Sequence, residues 1–446
     1  MKALKIAGIV VGTVALLVAG GIAVVALRFD ADRIKAELAR VVLEQKQRTL
    51  KIDGALELGF WPNVGVKLGK LSLSERNSAQ EFASVEAARV AVAVLPLLSR
   101  RVVADTVEIS GIRAVIVRHA DGTLNIDDLM AADEEERAPM QIDIAGIKLA
   151  DAQLTWRDEK SGSAATLAGL DLATGRVQAD TGRKTLQIEG LSLAAKGKSG
   201  GDKSQGDGFD VALAAPLLSV APGRAASETV TLTAVLADAG RSATARLTLS
   251  GVEGTGQALK ITRLAFDLDA KSGAVAVKGA LGATLTADPE HRTLALEKFA
   301  GEFDIVHPQM PAKHLTLPFS GTLRADLARQ SAAGKLAARF DESKLALEFD
   351  VAKFAPLALD FDLAIDRLNA DKYLPPKKPG GKSEGKLDFE ALRGLDLNGT
   401  VKVGSLQLAN VRASNVTLRI RTAAGRLDIA SDAPGLHGGT GIPPGK

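Results

Sequence analysis

The run LDLNGTVKVGSLQLANVRASNVTLRI, residues 395–420, decides the fold. Leu395, Leu397, Val401, Val403, Leu406 and Leu408 stand on one parity or the other between glycines, and Val416, Leu418 and Ile420 follow at alternate positions. A period of two is that of a β-strand, whose successive side chains face opposite sides of a sheet. Polar residues fill the intervening places, so each strand has one apolar and one wet face.

The same pattern extends back to Leu50. Leu71 and Leu73 alternate, as do Val90, Val92 and Val94, then Val107 and Ile109, Ile142 and Ile144, and Leu154 and Trp156. Val66 and Leu68, and Ile147 and Leu149, behave alike. The runs span four to nine residues and end in Gly, Asp-Gly, Asn or Ser, as antiparallel strands joined by short turns do. About 400 residues at roughly 13 per strand and turn give on the order of 30 strands, too many for one sandwich. Small barrels, sandwiches in series or one long curled sheet would each absorb them.

The chain's first segment follows another rule. Ile6 to Leu27 holds 22 residues without a charge, about 33 Å as a helix and enough to cross a bilayer core. Lys2 and Lys5 precede it, which places residues 1–5 in the cytoplasm and everything after Leu27 across the membrane. A cleaved signal peptide with Val24-Val25-Ala26 at its end is the rival. The apolar run is longer than such peptides use, so an uncleaved anchor is favoured. Residues 28–48 then read as an amphipathic helix from Asp30 to Gln47, with Ile34, Leu38, Val41 and Val42 on one face. That helix is expected to cap whatever begins after it.

Composition excludes several classes. The 446 residues carry 56 Lys and Arg against 53 Asp and Glu, with no Cys, one Tyr and two Trp. A near-neutral body with so few stacking rings is a poor nucleic-acid binder. Outer-membrane barrels also alternate, but they need aromatic girdles that are scarce here. Without cysteine there is no thiolate site and no thiol nucleophile. His307 and His314 are the one close histidine pair, seven apart with two prolines between them, and match no ligand spacing. Asp360, Asp362 and Asp366 alternate with Phe361, Leu363 and Ile365, the mark of a solvated strand face rather than a paired-carboxylate site. Trp61 and Trp156 read as packing residues. No enzyme motif, cofactor motif or metal motif is present.

Residues 49–374 form the β body, with an acidic loop at Asp133–Arg137 and a Gly/Lys/Ser excursion at Lys196–Gly208. Pro375-Pro376-Lys377-Lys378-Pro379-Gly380-Gly381 opens a linker at 375–386, preceded by a short helical turn within Asp366–Leu374. The final strand series occupies 387–430, and 431–446 is irregular, reading as a shortened or altered C-terminus. A sheet must bury its apolar face against something, and almost no amphipathic helix after Gln47 is available to cover it. The sheets must therefore fold onto themselves, pack together, or leave a groove for lipid tails. In the groove reading Leu71, Leu73, Val90, Val92, Val94, Val107, Ile109, Ile142, Ile144, Leu154 and Trp156, with the alternating residues from Leu395 to Ile420 named above, face the acyl chains.

Several segments resemble the AsmA family of inner-membrane-anchored periplasmic proteins. Phe60-Trp61-Pro62-Asn63-Val64-Gly65-Val66-Lys67-Leu68 is similar to its early Pro-containing strand. Leu95-Pro96-Leu97-Leu98 leads into VVADTVEISGIRAVIVRHADGTLNIDDLM, which resembles the family's most recognisable block, with Asp121-Gly122, Asn125 and Leu129. Ile126 stands where the family often has an aromatic. FDLAIDRLNADKYLPP and the late strand series resemble later family segments. The resemblance implies a periplasmic β-rich body related to chorein-type bridge-like lipid-transfer proteins, acting in outer-membrane assembly or phospholipid traffic.

The expected fold is mainly β, with an N-terminal transmembrane helix and a short amphipathic helix. A long curled antiparallel sheet, groove- or taco-like and made of many short strands, follows them. The expected protein is no enzyme and uses no cofactor. It is held in the bacterial inner membrane by a single pass, shelters phospholipid, and meets an outer-membrane or periplasmic assembly partner. The alternative is a non-transporting scaffold with closed, dry sheets.

Overall fold

The computed structural model describes residues 31–59, 63–130, 139–198, 208–238, 240–255, 257–308, 310, 313–355, 357–372, 396–408, 411–423, 426–432 and 435–437. The expected anchor at 6–27, the acidic loop, the linker, Trp61 and Leu395 lie outside them. Among the described residues no helix is long and apolar enough to cross a membrane. The chain divides into two compact units, Met1–Ala239 and Gly240–Lys446.

The first unit opens with the amphipathic helix α1 (Ala31–Lys46). Ile34 is buried, Leu38, Val41 and Val42 are half-buried, and Arg40 on the wet side bonds Glu37 and Glu44. The helix packs on β1 (Leu50–Ile52). The chain continues through β2 (Leu56–Gly59), β3 (Val64–Leu68), β4 (Leu71–Ser74), β5 (Glu81–Val85) and β6 (Ala87–Val92). A four-residue helix α2 (Val94–Leu97), β7 (Arg101–Ser110), β8 (Arg113–Arg118) and the short α3 (Asp127–Met130) follow. The spine is the 18-residue β9 (Gln141–Asp158). It takes β7 and β8 in parallel on one edge. On the other it takes β10 (Ser163–Thr174) and β11 (Val177–Asp180) antiparallel. Next come β12 (Thr185–Lys198), β13 (Gly208–Ala221) and β14 (Arg224–Asp238), each antiparallel to the one before.

The second unit begins with an antiparallel meander. It runs β15 (Arg241–Gly254), β16 (Leu259–Ser272), β17 (Val275–Asp288), β18 (Thr293–Val306), β19 (His314–Asp326), β20 (Ser331–Phe340), β21 (Ser343–Phe354) and β22 (Leu357–Asn369). The expected helical turn before the prolines is a 3₁₀ turn at Ala370–Lys372. β23 (Asp396–Leu408) then pairs with β22 in parallel, β24 (Val411–Ala423) closes on β23, and β25 (Arg426–Asp432) and β26 (Gly435–His437) both lie on β24. The protein is thus mainly β, built of long sheets with few helices.

From β9 to β24 most strands run 10 to 18 residues, longer than the runs of four to nine that announce them. The physical reason is a repeated β-bulge. Two apolar residues are separated by two exposed ones, as in Ile261-Thr262-Arg263-Leu264, Leu296-Glu297-Lys298-Phe299 and Ile365-Asp366-Arg367-Leu368. The ladder registers shift at the first two of these steps and at Leu167/Leu170 and Gly282/Thr284. Several steps are carried by residues at positive φ inside a strand: Asp151, Gly169, Gly190, Gly251, Lys298 and Asn415. Each inserted residue returns the next apolar side chain to the same face and bends the strand. Between Val403 and Leu406 the parity also changes, and there β22, β23 and β24 make the step together with their registers unbroken.

Lys298, at φ 51°, offers a direct test. A β-branched residue in the left-handed region costs about 1–2 kcal/mol. Lys298→Val is therefore expected to weaken hydrogen-exchange protection across β17–β19, whereas Lys298→Gly is expected to preserve or raise it. Equal behaviour of the two variants would contradict a bulge at this position.

Candidate functional site: a continuous apolar face

In the first unit, residues directly opposite one another form rows across the sheet. One row runs Leu50, Leu73, Ala83, Ala114, Leu154, Leu167, Gly197, Phe209 and Leu236. A second runs Val64, Val92, Ala104, Ile144, Val177, Ile188, Leu218 and Ser227. In the second unit Val252, Ile261, Leu285, Leu296, Leu323, Gly334, Phe349, Phe361, Gly399 and Ile420 align across ten strands. Cross-strand partners share a face. None of these rows contains a charge.

The opposite face is charged. Thr322, Lys335, Glu348, Asp362, Thr400 and Arg419 align on it, with Lys335 and Glu348 paired at 2.9 Å. Asp360 and Asp362 are exposed there, and Asp360 accepts a bond from Asn398 Nδ2 at 2.7 Å. Two recessed cavities have mixed linings: one of about 690 Å³ in the first unit, between Arg101 and Arg224 with Ile142 and Gln178, and one of about 420 Å³ in the second, around Lys335, Ala337, Leu347, Glu348 and Asp362.

The burial of the apolar face is shallow. A compact first-unit core gathers Val92, Ala104, Val107, Ile144 and Val177. In the second unit the fully buried hydrophobics among the described residues are Ile261, Ala283, Leu397, Val403 and Val416. Leu336, Leu345, Leu347, Phe349, Leu359, Phe361, Leu363, Ile365 and Val401 are half-buried. They are shielded by neighbours on their own sheet.

Of the sequence-chosen residues, Leu71, Leu73, Val90, Val92, Val107, Ile109, Ile142, Ile144, Leu154 and Trp156 stand in strands of this face. So do Leu397, Val401, Val403, Leu406, Val416, Leu418 and Ile420, with Leu408 exposed near the end of β23. Val94 is the correction. β6 ends at Val92, and Val94 opens α2, because Pro96 fits the first turn of a helix and has no N–H for a strand ladder.

Sequence reasoning missed the glycines' role on this face. Gly197, Gly279, Gly301, Gly321, Gly334 and Gly399 each face a phenylalanine across the ladder: Phe209, Phe303, Phe319, Phe299, Phe349 and Phe361 respectively. Each ring lies over its glycine, where a Cβ would sit less than 3 Å from it. Phe303 and Phe319 stack at 5.5 Å. Six of the thirteen phenylalanines are placed this way, so the rings cover bare backbone.

It also missed Arg48. Its guanidinium is fully buried, forks onto Asp128 at 2.8 and 2.7 Å, donates to the carbonyls of Ser74 and Asn125, and lies 5.0 Å from the Phe82 ring centroid. Asn125 donates to Glu75 and to the Val115 carbonyl, and accepts from Val117 N–H. The DG…N-I-D-D block is therefore more than a turn and a helix start. Asp121 and Asp127 do cap locally, on Thr123 and Leu124 N–H. Asn125 and Asp128 receive the arginine that joins α1 to β1. The spacing of about 80 residues between Arg48 and Asp128 left no local signal.

Comparison with known proteins adds a family. The model of the AsmA family matches residues 1–377. Protein AsmA of Escherichia coli (strain K12) is 26% identical over 147 residues, which is 31% of this chain and 24% of that protein. The chain thus spans about a quarter of the length of the curated relative it matches. No solved structure matches.

Proposed function

The chain belongs to the AsmA family, and from that membership and its apolar face we propose that it shelters phospholipid acyl chains for traffic between two membranes, in support of outer-membrane assembly. In this reading residues 6–27 anchor it in the inner membrane, the body is periplasmic, and the sheets curl along their bulge lines into a groove. A periplasmic or outer-membrane partner receives the lipid. No covalent chemistry is assigned to it.

The observation that carries the reading is the ten-strand row from Val252 to Ile420, uncharged and mostly half-buried. Water against such a face is unfavourable, and each methylene an acyl chain removes from water is worth about 0.8 kcal/mol. Headgroups would remain in solvent. A dry scaffold with closed sheets would instead bury these side chains, as a sandwich core does.

The test uses the full chain purified from a lipid-containing host, with bound lipid extracted and weighed by mass spectrometry. Stoichiometric phospholipid is expected. Leu347→Asp with Val401→Asp places carboxylates against hydrocarbon at about 3 kcal/mol each and should lower lipid occupancy more than about tenfold. Thr400→Asp, on the polar face, should not. A wild-type chain that is folded, by circular dichroism, and free of lipid would sink the proposal and leave the scaffold.

A further inference from the structure

The most exposed large hydrophobics among the described residues lie in the loop between β6 and β7. Leu95 and Leu98 are 79% and 85% exposed, the most exposed large hydrophobics among those residues, with Val94 beside them at 36%. Exposed leucines singly need no explanation, but two at the tip of one hairpin do.

Hydrogen bonds close the loop in this pose. Leu98 N–H donates to Leu95, Ser99 to Pro96 and Arg100 to Leu97 carbonyls, and Ser99 Oγ also bonds the Pro96 carbonyl. At the base Ala93 N–H bonds the Val103 carbonyl and Gln141 N–H bonds that of Arg100. Leu97 packs inward against the core of Val92, Ala104 and Ile144. With Leu97 packed inside, Leu95 and Leu98 face outward.

Among the described residues the charge around the tip is mostly basic. Exposed Arg100 and Arg101 follow the leucines directly. Arg101 opposes Gln141, which opposes Asp180, so the turn holding exposed Arg183 and Lys184 shares this sheet edge. The exposed Arg224, at the neighbouring β13–β14 turn, extends it. Asp180 is paired with Arg183, and Asp143 with Arg176. Leucines at a tip with arginines behind them match an interface of acyl chains beneath anionic headgroups. The Arg48 cluster that receives α1 lies toward the Asp158 end of β9, whereas the tip lies at its Gln141 end.

We infer that Leu95 and Leu98 insert into the headgroup region of an anionic phospholipid bilayer, with Arg100 and Arg101 on the phosphates. This forms a second membrane contact at the opposite sheet edge from α1. It does not require lipid in the groove.

The chain has no cysteine, so Leu98→Cys gives a single attachment point for an environment-sensitive fluorophore, with Leu95→Cys as a second variant and Ser163→Cys as a water-exposed control. The full chain is reconstituted in vesicles of phosphatidylethanolamine and phosphatidylglycerol. At positions 95 and 98 the emission should shift to the blue and be quenched about twofold or more by spin-labelled phospholipid. The control should do neither. Arg100→Glu with Arg101→Glu, or vesicles of phosphatidylcholine alone, should reduce the quenching. Emission that stays water-like overturns the inference. A blue shift without lipid quenching also overturns it, assigning the tip to a protein contact.

Discussion

Replacing Arg48 with methionine is expected to cost the first unit about 3–5 kcal/mol, the range for removing one partner of a buried ion pair. The Arg48 side chain is fully buried and that of Asp128 only 11% exposed, so the orphaned carboxylate cannot readily recover water. The carbonyls of Ser74 and Asn125 lose a donor at the same time. Hydrogen exchange should rise in α1, β1, β4 and α3 together, and proteolysis should begin near Gln47. Arg48→Lys should restore little, because one ammonium cannot reproduce the fork. Arg48→Met with Asp128→Leu should be milder than Arg48→Met alone. Unchanged protection in the single variant would mean that the cluster does not hold α1.

The same cluster sets a pH response. Burial pushes the Asp128 carboxyl upward, but the hydrogen bonds and charge of Arg48 outweigh it and hold it below its ordinary value. A carboxyl lowered by folding stabilises the fold above its unfolded pKa, near 4, and that contribution is lost as pH falls through the folded value. Protection of α1 and β1 should therefore decline below about pH 4 in the wild type. The double variant should lack that component.

Gly321→Ala is expected to destabilise the second unit, against the usual gain of about 0.5–1 kcal/mol for alanine over glycine inside a strand. A Cβ there would stand 2.1 Å from the Lys335 carbonyl oxygen and 2.8 Å from the Phe299 ring. The first neighbour is backbone and cannot swing aside, so the β19–β20 ladder must separate. Overpacking of this kind costs about 1–3 kcal/mol, and Gly321→Val should exceed it. Gly282→Ala is the matched control, since its Cβ would meet nothing closer than 3.9 Å. Protection in β18–β20 separates the outcomes. A stabilised Gly321→Ala would refute the close approach.

Much of the face was legible because a period of two is local. Leu71 with Leu73, Ile142 with Ile144, and Val401 with Val403 needed only their own strands to be read. Val94 was misread because the alternation does run one step past Val92, and only Pro96 and the turn toward Arg101 end it. The sequence shows the parity change between Val403 and Leu406, with no local signal of how a strand accommodates it. In three dimensions the same spacing is a bulge at Ile261/Leu264 and Leu296/Phe299, while in β22 and β23 both strands make the step together and their ladder keeps its register. Phe–Gly pairing was invisible for another reason: Gly301 lies 18 residues from Phe319, and register depends on the length of the turn between them.

The sequence by itself determined that the body is β, that each strand is two-faced, that a helix precedes it, and that the chain resembles the family to which it belongs. These follow from residue periodicity and short motifs, which act between neighbours along the chain. The tertiary structure decided the rest: which apolar residues share a row, that Arg48 closes onto Asp128, and that Leu95 and Leu98 point outward while Leu97 points in. Those outcomes depend on strand register and on groups tens of residues apart, where the cost of an unpaired charge or a backbone clash selects one arrangement from many that the same alternation allows.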